Sequence, residues 1–205
     1  MANAGTRSDE KREAILKHAG RVFARYGYMK TTLEDIGRAS HLNKASVYYY
    51  YKSKEEIYSA VVQEEFRQFH SESRTQCLKK KGIVNQVLFF LNMRLQVQPQ
   101  LLNLHQLSLE TLRTPDSHFI LLYNTFLEQD TLFVRSLLDE AIRSKAMRKT
   151  DTQRLAGILI TLCDAIKHQA VRKAGVRFAS EAEFTEAAKD VQLAVTAVLN
   201  GFIVT

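Results

Sequence analysis

Apolar residues along this chain recur at three- and four-residue intervals and almost nowhere at alternate positions. Ile15, Ala19, Val22, Phe23 and Tyr26 fall on one face of a helical period. That pattern predicts a first helix over about Ser8–Tyr26, ended by Gly27 as a C-cap. Thr32 is placed to N-cap a short second helix containing Leu33 and Ile36. Ser40, His41, Leu42 and Asn43 then make a turn, and a third helix spans roughly Lys44–Tyr50. Ser53 and Glu56 form a capping box that opens a long fourth helix. It is expected to reach the Lys79, Lys80, Lys81, Gly82 cluster, where cations complement the helix end and the glycine terminates it. Further helices are expected at about Ile83–Gln98, Pro99–Leu112, Asp116–Ala146, Asp151–Ala174 and Ser180–Phe202. Pro99 and Pro115 sit at helix starts, Gly175 marks a break, and Ser180 with Glu183 makes another capping box. No alternating segment bounded by turn residues stands out, so the expected fold is all-α, with about nine helices.

Within the third helix each residue advances by ~100°. Val47 and Tyr51 therefore share a face and are expected to pack against Ile15, Phe23 and Ile36. Lys44, Ala45, Ser46, Tyr48, Tyr49 and Tyr50 are left for other directions, because four consecutive tyrosine rings circle a helix and cannot all face inward. Two short helices joined by a tight turn are the geometry that lays a helix in the major groove of DNA. Small Ala45 and Ser46 allow close approach to base edges, although a serine hydroxyl discriminates poorly between them. Tyrosine supplies a flat apolar ring for thymine methyls and a hydroxyl for phosphate oxygens. Lys44 and Ala45 stand at a helix start, which also favours phosphate.

Charge changes the picture through its distribution. The net charge is +7 over 205 residues, but residues 1–54 hold 11 Lys/Arg against 5 Asp/Glu, a net of +6. The rest holds 18 against 17, so one end of the molecule carries nearly all the positive field, as expected where only that end meets phosphates. Cys77 and Cys163 have no CxxC or metal spacing, which fits a reducing cytoplasm and neither a disulfide scaffold nor a cofactor site. The first residues lack an apolar signal region, and the longest apolar stretch, Leu155–Cys163, is far shorter than a membrane span. A soluble, cytoplasmic protein is expected. No Gly-rich phosphate loop, HExxH, GxSxG or Cys/His zinc pattern points to an enzyme. Asp164 and His168 lie four apart and read as an ordinary helical pair.

The stretch Arg12–Tyr58, REAILKHAGRVFARYGYMKTTLEDIGRASHLNKASVYYYYKSKEEIY, resembles the DNA-binding domain of the tetracycline-repressor (TetR) family of bacterial regulators. The matching elements are AIL and VF on the first helix, the GYxxTT connection, IxxA on the second helix, and KxSVYYYYKSKE. The resemblance covers about a quarter of the chain. It implies that Thr32, Lys44, Tyr48, Tyr49 and Lys54 hold the DNA backbone while Asn43, Ala45, Ser46 and Tyr48 lie near bases. Tyr50 joins this candidate DNA-binding set from its position in the tyrosine run. Three residues depart from the family pattern: His41 stands where Gly is usual, Ala45 replaces a frequent Gly, and Tyr51 a frequent Phe. The implied organisation is a helix-turn-helix DNA-binding domain over residues 1–54 and a larger helical ligand-binding and dimerisation domain over 55–205.

In the larger part, LAGILITLC (155–163) is apolar nearly all round and should be covered on more than one side. The last helix carries Phe184, Ala187, Ala188, Val191, Ala194, Val195, Val198 and Phe202. Two such helices either lie buried within one subunit or pair with their copies in a four-helix interface. The resemblance implies the second, a homodimer reading a palindrome with half-site centres ~34 Å or a multiple apart. Phe89, Met93, Phe119, Tyr123 and Phe126 read first as core; the resemblance implies a pocket in this region for a small hydrophobic ligand, with His105 and Tyr123 as its polar groups. The expected function is a repressor that binds a palindromic operator as a dimer and is released by that ligand. A ligand-independent regulator and a non-specific nucleic-acid-binding protein are the alternatives.

Overall fold

The computed structural model describes residues 3–96, 101–113, 117–174 and 181–204. Among the described residues the chain forms nine helices and one isolated β-bridge, Met147 to Ile203. The helices are α1 (Asn3–Tyr26), α2 (Leu33–Ala39), α3 (Lys44–Tyr50), α4 (Lys54–Cys77), α5 (Ile83–Leu95), α6 (Leu102–Arg113), α7 (Ser117–Arg143), α8 (Thr152–Ala174) and α9 (Glu181–Asn200). None is long and apolar enough to cross a membrane. The chain divides into two compact units, Met1–Phe69 with Gln98–Leu122 and His70–Val97 with Tyr123–Thr205.

The helix ends follow local chemistry. Gly27 closes α1 with φ 78°, its N–H donating to the Phe23 carbonyl at 2.7 Å. Asp151 caps α8, its carboxylate accepting from the Arg154 N–H at 2.9 Å. The α4 box is shifted: Ser53 accepts from the Glu56 N–H at 3.1 Å, but Glu56 reaches back to the N–H of Lys52 at 2.6 Å. Gly82 does not end α4, which stops at Cys77; with φ 81° it is the N-cap of α5. The lysine cluster forms the connection between them, and Lys80 lies over the Phe89 ring at 4.6 Å. Pro99, Pro115, Gly175 and the Ser180–Glu183 box fall outside the described residues or side chains.

In the first unit, α6 is stitched to α1 and α4. Buried Asn103 donates from Nδ2 to the Gly20 carbonyl at 3.0 Å and to Glu65 Oε1 at 2.6 Å. The Leu104 N–H donates to the other Glu65 oxygen at 2.8 Å, and the Tyr58 hydroxyl to the Asn103 carbonyl at 3.2 Å. Burial pushes the Glu65 carboxyl up, and these donors oppose the shift. Beside them Phe23, Tyr28, Tyr58 and Phe119 form one aromatic cluster, with ring centroids 4.8–6.1 Å apart.

The core of the second unit joins α5, α8 and α9 through Val87, Phe90, Leu91, Leu159, Val191, Val195 and Leu199, all buried. Each contributes about 1.5–3 kcal/mol by leaving water. Set into this apolar core is a charged network. Arg94 pairs with Asp130 through one guanidinium nitrogen, and with Asp164 through the other at 2.8 Å. The Tyr123 hydroxyl donates to the second Asp164 oxygen at 2.8 Å, and His70 Nε2 lies 3.4 Å from Asp130. Asp164 thus turns to Arg94 and Tyr123 for its bonds, not to His168. Burial alone would raise the Asp164 carboxyl, but the Arg94 and Lys167 cations and the two bonds hold it below the ordinary range. Cys77 and Cys163 are free and buried, which pushes each thiol up to about 11.

The network should dominate the second unit's response to substitution and acid. Asp130→Asn, measured by urea unfolding, is expected to cost about 1–3 kcal/mol, because a buried guanidinium loses one of its two charge partners while Asp164 remains. Asp164 titrates lower folded than unfolded. Its stabilising contribution is therefore complete above the ordinary aspartate range and is lost as pH falls through the depressed folded value.

Candidate nucleic-acid interface

The recognition candidate, α3, has seven residues, of which only Val47 is buried. A helix this short does not persist alone in water, so its neighbours must hold it. Val47, Tyr51, Ile15, Phe23 and Ile36 are all 0–2% exposed, as the spacing predicts. Arg12 of α1 fixes the far end of α3. Its Nη1 donates to the Tyr50 carbonyl at 2.7 Å, and its guanidinium lies 4.5 Å from the Tyr51 ring centre. The Tyr51 hydroxyl, which a family Phe would lack, donates back to the Arg12 carbonyl at 3.2 Å.

The near end is set by caps and by one glycine. Asn43 N-caps α3, its Oδ1 accepting from the Ser46 N–H at 2.7 Å. Thr32 and Asp35 form a complete capping box on α2. Between the two helices the Leu42 N–H donates to the Gly37 carbonyl at 2.8 Å. A Cβ on Gly37 would lie 2.7 Å from the Leu42 carbonyl oxygen, so only glycine permits this approach. His41, where Gly is usual, takes φ 55° in the left-handed region and bears the cost expected of a non-glycine residue there.

Around this anchored helix the candidate residues fall as follows. Thr32, Asn43, Lys44, Ala45, Tyr48 and Tyr49 are exposed, Tyr49 by 81%; Ser46, Tyr50 and Lys54 are half-buried. The rings of Tyr49 and Tyr50 meet edge to face at 5.0 Å. The Thr32 hydroxyl is occupied by Asp35, donating to Oδ2 at 2.6 Å while accepting from its N–H. Lys44 reaches Glu34 of α2 at 2.6 Å. Lys54 spends two ammonium protons on the Tyr28 and Thr31 carbonyls, each at 3.0 Å, and lies 4.2 Å from the Tyr28 ring centre. It therefore ties the start of α4 to the loop before α2 and keeps one proton for another acceptor. Glu34, Gly37 and Arg12 escaped the sequence reading. Only Gly37 left a signal there, as a glycine inside a helical pattern.

The six pocket candidates do not fall in one unit. His105 and Phe119 belong to the first, where Phe119 is part of the aromatic cluster. Phe89, Met93, Tyr123 and Phe126 belong to the second, where Phe89 and Met93 are half-buried and Tyr123 and Phe126 are buried.

Among the described residues, an all-α chain whose basic head carries a capped, outward-facing helix after a tight turn has the helix-turn-helix arrangement. Residues 15–61 match the family model of bacterial regulatory proteins of the tetR family. That match covers the helix-turn-helix head and under a quarter of the chain. Its head is similar to that of IcaR, the negative transcriptional regulator of the biofilm operon icaADBC in Staphylococcus epidermidis, with 41% identity over 58 residues. That match covers 28% of this chain and 31% of the relative, so the chain spans about a third of the length of the curated relative it matches. A transcriptional regulator from Cytophaga hutchinsonii shares the fold at TM-score 0.78 and 21% identity, covering 94% of this chain and 98% of that one. A regulator from Saccharomonospora viridis, solved in complex with choline, does so at TM-score 0.70 and 18% identity, over 96% and 100% of the two chains.

Lys54 offers a direct test of how the head is held. Lys54→Met is expected to lower stability by about 1.5–3 kcal/mol, the range for hydrogen bonds to a charged group. The check is the shift in urea midpoint, and a midpoint equal to that of the parent would show the two carbonyl bonds to be idle.

Proposed function

We propose that this protein is a dimeric transcription regulator that places α3 in the major groove of a palindromic operator and represses the genes beside it. The observation that carries the reading is the division of α3 into one buried anchor and an exposed face of Lys44, Ala45, Tyr48 and Tyr49, on a head of net charge +6. Lys44, Tyr48, Tyr49 and the third proton of Lys54 meet phosphates, with Thr32 contributing at the start of α2. Asn43, whose side-chain amide N–H groups remain available, lies with Ala45, Ser46 and Tyr48 near base edges, and Tyr50 supports Tyr49.

Dimerisation is supported by what α8 and α9 leave uncovered. The sequence asks for cover on more than one side of 155–163, yet Ile158 is 50% exposed and nothing would meet a Cβ on Gly157. On α9, Leu193 is 74% exposed. A second copy laid across these faces would bury them. The release signal we propose is a small, largely apolar molecule in the second unit, near Phe89, Met93, Tyr123 and Phe126. The S. viridis protein, solved with choline, is a case of this fold holding a small molecule. His105 and Phe119 would contribute only through the first unit. Such a ligand acts only by favouring one arrangement of the dimer over another.

Selection from a random duplex library at near-physiological salt, followed by sequencing of the bound pool, should return a palindrome. Recovery of no motif, with binding that merely follows ionic strength, would leave a non-specific nucleic-acid binder. On the selected operator, Lys44→Ala and Tyr48→Ala should each weaken binding by about tenfold or more, with the dimer still folded by gel filtration and circular dichroism. Parent-like affinity in both variants would remove α3 from the interface.

A further inference from the structure

Lys44, the first residue of α3, does not project freely into solvent. Its ammonium lies 2.6 Å from Glu34 Oε1, on the first turn of α2. The two side chains are 48% and 52% exposed, so neither is locked by packing and the pair can open at little cost. The bond from Lys44 holds the Glu34 carboxyl below the ordinary glutamate range, and the same bond raises the lysine, so both are ionised at neutral pH. Glu34 takes no part in the cap of α2. The capping box belongs to Asp35, whose carboxylate accepts from the Thr32 N–H at 3.0 Å and from its hydroxyl at 2.6 Å.

We infer that Glu34 is an intramolecular stand-in for DNA phosphate, competing for the Lys44 ammonium and so setting how tightly the head binds any duplex. The inference rests on the reading of α3 as the DNA-facing helix. A carboxylate at this distance offers Lys44 the same charge-assisted acceptor that a phosphate oxygen would. Docking therefore exchanges one anion for another and gains less than a free lysine would gain. The released Glu34 carboxylate then sits beside the backbone and repels it. This brake acts on phosphates and reads no base, so it lowers operator and random-sequence affinity together and leaves their ratio unchanged. For a head of net charge +6, that restrains binding to bulk DNA without changing the base-reading surface.

The test uses the full chain, the selected operator and a scrambled duplex of equal length, titrated at low and near-physiological salt. Glu34→Gln keeps the shape and removes the charge. It should bind both duplexes about three- to tenfold tighter at low salt, with the gain shrinking as salt rises. Glu13→Gln, an exposed residue of α1, removes the same formal charge elsewhere on the head and sets the bulk contribution. In a Lys44→Ala background the Glu34→Gln gain should fall to the Glu13→Gln level, because the competitor has lost its object. Circular dichroism and thermal midpoints equal to those of the parent would show that the fold is unchanged. An equal Glu34→Gln gain with and without Lys44 would overturn the inference in favour of bulk charge, and weaker binding by Glu34→Gln would overturn it in favour of a direct DNA contact. If Lys44→Ala leaves affinity for every duplex unchanged, the reading of α3 fails first and the inference falls with it.

Discussion

The reading surface of this head depends on one constraint: a seven-residue helix with a single buried side chain has no stability of its own. It exists only as part of a docked assembly. Val47 supplies the anchor within α3, and Tyr51 extends it one residue past the helix end. Arg12 closes the arrangement by holding the Tyr50 carbonyl and the Tyr51 ring together. Gly37 permits the turn that aims α3, and a methyl group there would meet backbone that cannot give way. The outward face of α3 is presented to solvent because these others hold the helix in place.

The same logic extends to Lys54 and α6. Lys54 is a cation at the edge of the interface, yet two of its protons are committed to carbonyls of the loop before α2. Its principal role in the unbound head is to fix where α2 begins, and any phosphate contact draws on what is left. Asn103 and Glu65 do comparable work deeper in the unit, the amide tying α6 to the backbone of α1 and the carboxylate holding α6 to α4. The head's helices are thus held from outside the segment that carries the family resemblance.

This explains which features were legible in the sequence. The bounds of α3, the Thr32 cap and the shared face of Val47 and Tyr51 follow from spacing and short-range chemistry, and all appear as expected. The role of Gly82 was misread because a glycine after a lysine cluster can close one helix or open the next, and only the backbone settles which. The Arg94 network left no signal, since Arg94 and Asp164 are 70 residues apart and each looks like an ordinary polar position on its own helix. Glu34 and Lys44 posed a similar difficulty across a turn. Pairings of this kind depend on how helices are packed, and a periodic pattern predicts which face is buried but not which charge lies opposite.

The two units also differ in how they use charge, and the difference bears on regulation. In the head, ion pairs such as Glu34–Lys44 are exposed, individually weak and easily exchanged for contacts with another anion. The second unit has exposed pairs too, such as Arg143–Glu140, but it alone adds a buried network of Arg94, Asp130 and Asp164, where breaking one pair weakens the hold on another buried charge. An exposed pair tunes affinity in small steps. A buried network resists small changes and rearranges only as a whole, which suits an element with two discrete states better than one that deforms gradually. His70 places α4 in that network, and α4 is the helix whose first residues, Lys54 and Glu55, bond to the loop before α2. A molecule that alters the Arg94–Asp164–Tyr123 bonds would therefore act on residues of the same continuous helix that begins at the head.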